Sequence, residues 1–244
     1  MTEPQRHSVT DKNSPLIVDT LTSLSELFTE WNIQWNKKRK IRAYSNDKRL
    51  IALQRSKIIR RAATAFREHG VNGVTMEDIA SLSHMCVGSI YRYFGSKHDL
   101  LISFLKEFEA KLKDYVQAKL PEIENMEPRA ALKELIRAYI NAVDRSRDQV
   151  IILYLDARSM PKMEQEMVKR ADKILVGLFE VTISRGIESG VFKTSDVTMC
   201  AHNIKALADV WAVRGWAFGE THIVEKYIEY QIEFILGGLS ANIE

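Results

Sequence analysis

The chain's most suggestive chemistry lies in the twenty residues 75–94, TMEDIASLSHMCVGSIYRYF. Val87, Ile90 and Phe94 fall at helical spacing and can pack inward. Gly88, Ser89, Tyr91, Arg92 and Tyr93 are then left mostly outward. Ser89 and Arg92 are able to hydrogen-bond base edges or phosphates, and Val87 can offer a thymine methyl an apolar contact. Tyr91 and Tyr93 carry hydroxyls suited to phosphate oxygens, and Lys97 adds charge at the start of the next helix. Gly88 permits close approach of a partner. Ahead of this segment Thr75 opens a short helix, with Asp78 three residues on in a capping-box pattern. The break Ser83-His84-Met85-Cys86 separates the two short helices. This is the spacing of a helix-turn-helix, in which one helix braces and the other enters a major groove.

Charge supports a polyanionic partner. The 244 residues sum to only +3. Residues 1–100 hold sixteen Lys/Arg against ten Asp/Glu, a net of +6, and the remainder is −3. Within 37–61 eleven basic residues face only Asp47, a net of +10. Lys37, Lys38, Arg39, Lys40 and Arg42 form the densest part. They can act as an arm that neutralises phosphates or enters the minor groove, or they are a solvated tail without specific contacts.

Three stretches, TMEDIA (75–80), GSIYRYF (88–94) and SKHDLL (96–101), resemble the DNA-binding domain of the tetracycline-repressor (TetR) family. The helix Ile58–Gly70, with Ala62, Ala63 and Phe66, is similar to that family's first helix. The resemblance covers about 55–101. It implies a homodimeric, all-helical regulator whose small N-terminal reading head sits on a larger C-terminal domain. That domain would bind a small effector and dimerise through its last two helices. By position, Thr75, Val87, Gly88, Ser89, Tyr91, Arg92, Tyr93 and Lys97 are the implied DNA contacts. Two positions depart from the family pattern. His84 stands at the turn where Gly is usual, and must take a left-handed conformation that His tolerates at some cost. Cys86 stands where Ser usually caps the recognition helix, leaving one backbone N–H without its usual partner.

The elements that must position these residues read as helices throughout. Eleven Gly and five Pro punctuate the chain, and period-2 alternation is scarce. The expected fold class is all-α: a three-helix head over 51–101, then a helical bundle over 102–244, with an extension over 1–50. In the extension Ile17, Leu21, Leu24, Phe28, Trp31 and Trp35 share one helical stripe. It packs on the body or on a second subunit, or it lies on a membrane surface; Asp19, Glu26 and Glu30 on the polar face speak against the membrane. Helices are expected at about 55–69, 75–82, 87–94, 97–119, 128–145, 148–159, 162–188, 196–218 and 223–239.

Several function classes are excluded at this level. No run is apolar enough for a transmembrane helix, and the N-terminus has no signal-peptide core. The cytoplasm is therefore the expected location. The histidines are isolated, and Cys86 and Cys200 form no metal motif. No P-loop, dinucleotide or nucleophile-elbow motif occurs, so neither catalysis nor a cofactor is expected. Cys86 at a helix start is either a redox-sensitive thiol or a small filler. Candidate effector contacts are Tyr154, Arg158, Phe179, Asn203 and Trp211. The segment 153–161 and the Trp211…Trp216 stretch look similar to regulators that sense acyl-CoA thioesters. A lipophilic or aromatic compound sensed for efflux is the rival ligand. A helical interaction protein without DNA sequence preference is the rival class.

Overall fold

A computed structural model describes residues 47–104, 106–107, 122–156, 158, 162–218 and 223–240, with isolated positions at 19, 22, 23, 26 and 29. Among these residues the structure is helical and contains no strand. The stripe at 17–35 and the basic arm residues Lys37, Lys38, Arg39, Lys40 and Arg42 lie outside them.

Helix α1 (Lys48–His69) starts about seven residues earlier than the apolar pattern suggests. The reason is local: the Asp47 carboxylate accepts from Arg49 N at 2.8 Å and caps the helix before its apolar stripe begins. The inner stripe is Ile58, Ile59, Ala62, Ala63, Ala65 and Phe66, all buried. Gly70, at φ 68°, ends the helix as expected. Helix α2 (Met76–Leu82) carries the complete capping box: Asp78 N donates to Thr75 Oγ1 at 3.1 Å, and Thr75 N donates to Asp78 Oδ2 at 2.8 Å. Helix α3 (Val87–Tyr93) follows, and α4, described over 97–104 and 106–107, comes next, with Asp99 N donating to Ser96 Oγ at 3.3 Å.

His84 has a positive φ of 54°, and no other non-glycine residue does so among the described residues. Its N–H still donates to Ser81 O, and Met85 N to Ala80 O at 2.9 Å, so the tight turn survives with strain. Replacing His84 by Gly is expected to stabilise the protein by about 1 kcal/mol or less, because the left-handed penalty of an L side chain is removed. A raised urea midpoint at unchanged slope would verify it; a lowered midpoint would mean the imidazole itself holds the turn.

The body comprises α5 (Pro128–Asp144), α6 (Arg147–Asp156), α7 (Lys162–Glu188), α8 (Val197–Val213) and α9 (Val224–Ser240), with a 3-10 turn at Gly215–Ala217. Pro128 opens α5, where a missing N–H does no harm. Phe192 folds back onto α7 at Gly186, whose added Cβ would lie 1.9 Å from the ring, so this approach requires glycine.

Two apolar cores result. One joins α1 to α4 and includes the edge-to-face pair Phe66 and Phe104, at 6.0 Å. The other fills the body and includes Tyr139 against Phe179 at 5.7 Å. The cores share elements: Ile152 of α6 belongs to the head core, whereas Ile102 of α4 belongs to the body core. Neither α4 nor α6 therefore respects a sharp boundary at 101/102.

Candidate nucleic-acid interface and ligand cavity

Helix α3 divides into two faces. Ile90, Tyr93 and Phe94 are buried, and Val87 packs half-buried against the same core. Tyr93 corrects the sequence expectation. It lies three residues after Ile90, on the inner stripe, and is only 7% exposed. Its ring serves the core rather than an outside partner, and the half-burial of Val87 draws that side chain inward too.

The outward set is Gly88, Tyr91 and, half-exposed, Ser89 and Arg92. Tyr91 is 46% exposed. A Cβ added at Gly88 would meet nothing within 4 Å. Nothing within the protein therefore calls for glycine at this position. Cys86 supplies no side-chain cap for α3, as expected. Its exposed thiol sits 3.0 Å from Ser89 Oγ, and the Ser89 hydroxyl, followed by the Ser89 N–H, lowers its pKa.

Two basic residues turn inward. Lys97 Nζ donates to Val71 O at 2.8 Å and Val74 O at 2.7 Å, tying α4 to the loop before α2. Arg55 donates to Tyr93 O near the end of α3 and to Ser103 Oγ of α4 at 3.5 Å, with its guanidinium 4.2 Å from the centre of the Phe94 ring. Burial lowers its pKa, opposed by Asp99. Arg55 is thus a structural tie between three helices, although its charge places it in the basic block. The Thr75 hydroxyl likewise donates to Asp78 Oδ2, at 2.7 Å. Lys57, Arg60 and Arg61 of α1 are exposed.

The expected effector residues do not converge. Phe179 is core, and Trp211 is buried, its indole N–H donating to Asp144 Oδ1 at 2.7 Å while it stacks on Phe218. Arg158 is exposed, its carbonyl accepting from Gln165. Asn203 lines an open groove of about 810 Å³ along α8 and α9, beside Tyr230 and Phe234. Only Tyr154, 65% exposed, reaches a small, half-open cavity of about 120 Å³ lined by α5, α6, α7 and α8. That cavity holds a charged group that the sequence reading passed over. Lys205 Nζ lies 2.7 Å from both Asp172 Oδ1 and Asp209 Oδ2, and Tyr139 donates to Asp209 Oδ1 at 3.2 Å. Burial alone would lower the Lys205 pKa, but Tyr139 and the two carboxylates outweigh it, so the ammonium stays charged. The available signal was Lys205 and Asp209, charged residues four apart on the otherwise apolar stripe Ile204, Ala208, Trp211 and Ala212. No metal-binding cluster is found among the described residues, and no described helix is long and apolar enough to cross a membrane.

A helix-turn-helix head fused to an all-helical body with a cavity between its helices defines the class of one-component transcriptional regulators that bind DNA through the head. Family models agree: "Bacterial regulatory proteins, tetR family" matches residues 58–104, and "Tetracyclin repressor-like, C-terminal domain" matches 125–210, together more than half of the chain. The chain belongs to the TetR family of transcriptional regulators. Among curated relatives it is 27% identical to the HTH-type transcriptional regulator HbdR of Aromatoleum sp. (strain CIB), over 78% of this chain and 82% of the relative. Its fold is shared with AibR, solved with isovaleryl coenzyme A and operator DNA, at 19% identity and a TM-score of 0.61, covering 74% of this chain and 97% of AibR. It is shared also with FadR of Bacillus subtilis, solved with stearoyl-CoA, at 20% identity and a TM-score of 0.59, covering 75% and 98%.

Proposed function

We propose that this regulator is a cytoplasmic, homodimeric repressor without catalytic activity, released from a palindromic operator by an acyl-CoA effector. The observation that carries the DNA reading is the division of α3: an inner face of Ile90, Tyr93 and Phe94, and an outer face in which Gly88 and Tyr91 meet no protein core. Gly88, Ser89, Tyr91 and Arg92 are the proposed groove contacts, with Val87 at their edge. Thr75 and Lys97 are proposed to act at the phosphates from positions already fixed by their internal hydrogen bonds. The unpaired apolar face of α8 and α9, with Met199, Tyr230 and Phe234 exposed, supports a second copy as its cover.

The effector reading is supported by two fold neighbours solved with CoA thioesters and by the position of the cavity. Helix α6 lines the cavity with Val150, Leu153 and Tyr154. From the same helix Ile152 enters the head core, and Asp148 meets Arg67 of α1 at 2.8 Å. A ligand that displaces α6 therefore acts on the head directly. Its effect on operator affinity is bounded by its differential affinity for the two conformers.

Tyr91→Ala is expected to weaken operator binding about 10- to 100-fold, since the dimer loses a DNA contact twice, with no change in melting temperature or dimer mass. Lys97→Ala is expected to weaken binding and also to lower the melting temperature, because the carbonyls of Val71 and Val74 lose their donor. Titration of a labelled operator, with mass measured by light scattering, separates the two. Unchanged affinity in Tyr91→Ala overturns the assignment of the outer face. Equal binding to operator and random DNA would instead favour the non-specific interaction protein.

A further inference from the structure

We infer that the cavity among α5–α8 selects an effector whose buried end carries a hydrogen-bond donor, a hydroxyl on a short acyl group no larger than a single ring, and rejects an anionic end. This rests on the reading of the body as an effector domain and specifies what that effector presents to the cavity wall.

The wall brings together one ammonium, Lys205, and two carboxyl groups, Asp172 and Asp209, with burial raising the pKa of Asp209. Lys205 is held between the buried Asp209 and the half-exposed Asp172, so its ammonium is already compensated and offers no free positive charge to an incoming anion. A carboxylate or phosphate has no place against it. The second step is the donor and acceptor count. The single Tyr139 hydroxyl proton goes to Asp209, and the Lys205 ammonium spends donors on both carboxylates. The two carboxylates present four oxygens with roughly two acceptor sites each. The wall is therefore richer in acceptors than in donors, and a ligand donor satisfies it where a ligand acceptor competes with Tyr139 and Lys205. The third step is size. Apart from this cluster and Tyr154, the cavity is lined by Val, Leu and Ala side chains and measures about 120 Å³. An apolar cavity of about 150 Å³ accommodates one benzene. The space suits a few carbons or one ring with a single polar point. A longer acyl chain would have to extend out of it past the exposed Tyr154.

A site built to hydrogen-bond a hydroxyl discriminates strongly against the analogue lacking it, because its own buried polar groups lose their partner. The test pairs probes that differ only in that group, on the full-length dimer, by isothermal titration and thermal shift. One arm compares 3-hydroxybutyryl-CoA with butyryl-CoA and with succinyl-CoA. A second arm, free of CoA, compares cyclohexanol with methylcyclohexane. The expected result is at least tenfold tighter binding of the hydroxylated member of each pair, and no measurable binding of succinyl-CoA. Asp209→Asn, which keeps an acceptor for Tyr139 but removes the charge, should reduce the preference to threefold or less. Where that variant folds poorly, Asp172→Asn at the half-exposed side of the cluster should reduce it in the same direction. Equal affinities within the pairs, or tighter binding of succinyl-CoA, overturn the inference. Inert thioesters alongside a discriminating alcohol pair would leave the cavity chemistry standing and overturn the CoA reading alone.

Discussion

Gly88→Leu is expected to lower operator affinity by a factor of 100 or more while leaving the fold intact. The position lies in the first turn of α3, on its outer face, and an added Cβ meets nothing within 4 Å. Within the protein the substitution removes the backbone-entropy penalty of glycine in a helix, so the melting temperature should hold or rise slightly. Outside, in the proposed DNA complex, the branched side chain would occupy the space between the helix backbone and the base edges, where no adjustment short of withdrawing the helix is available. The proposed dimer would meet this obstruction twice. Gly88→Ala should show a smaller loss in the same direction. Electrophoretic mobility shift and a thermal melt on the same preparations check both halves. A leucine variant that binds its operator as tightly as the parent would place the groove contacts elsewhere on the head.

Arg55→Met is expected to destabilise the head by about 2–3 kcal/mol, the range for losing a charge-assisted hydrogen bond together with a cation–π contact in a partly buried setting. The guanidinium serves the carbonyl of Tyr93 at the end of α3, reaches Ser103 of α4 and covers the Phe94 ring. Methionine retains much of the apolar stem but leaves the Tyr93 carbonyl without that donor. Amide exchange should accelerate first in α3, and operator affinity should fall because the recognition helix is less firmly held. The matched control is Arg61→Met on the exposed face of the same helix, which removes the same charge with no stability change beyond about 0.5 kcal/mol. Equal melting of the two variants would show that Arg55 acts only as charge. The contrast matters because the two arginines are indistinguishable in the +10 block of the sequence.

The two substitutions mark the limit of what can be read along the chain. Features written in local spacing were legible: the Thr75–Asp78 capping box, the left-handed His84, the missing cap at Cys86, and the close of α1 at Gly70. Each depends on residues within about four positions of one another, where backbone geometry dictates who meets whom. The helix-turn-helix and its family were legible for the same reason.

The destinations of long side chains were not. Arg55 meets Tyr93 and Ser103 across 38 and 48 residues, and Lys97 meets Val71 and Val74, so their charge reads as surface until the helices are packed. Tyr93 was left outward once Val87, Ile90 and Phe94 filled the inner stripe, yet one turn of helix carries it inward with Ile90. The cavity cluster is the extreme case. Tyr139, Asp172, Lys205 and Asp209 come from three helices, and only the packing of α5, α7 and α8 makes them one site. Periodicity along one helix says which residues turn inward. What they meet there is set by the crossing of helices far apart in sequence, and that information exists only in three dimensions.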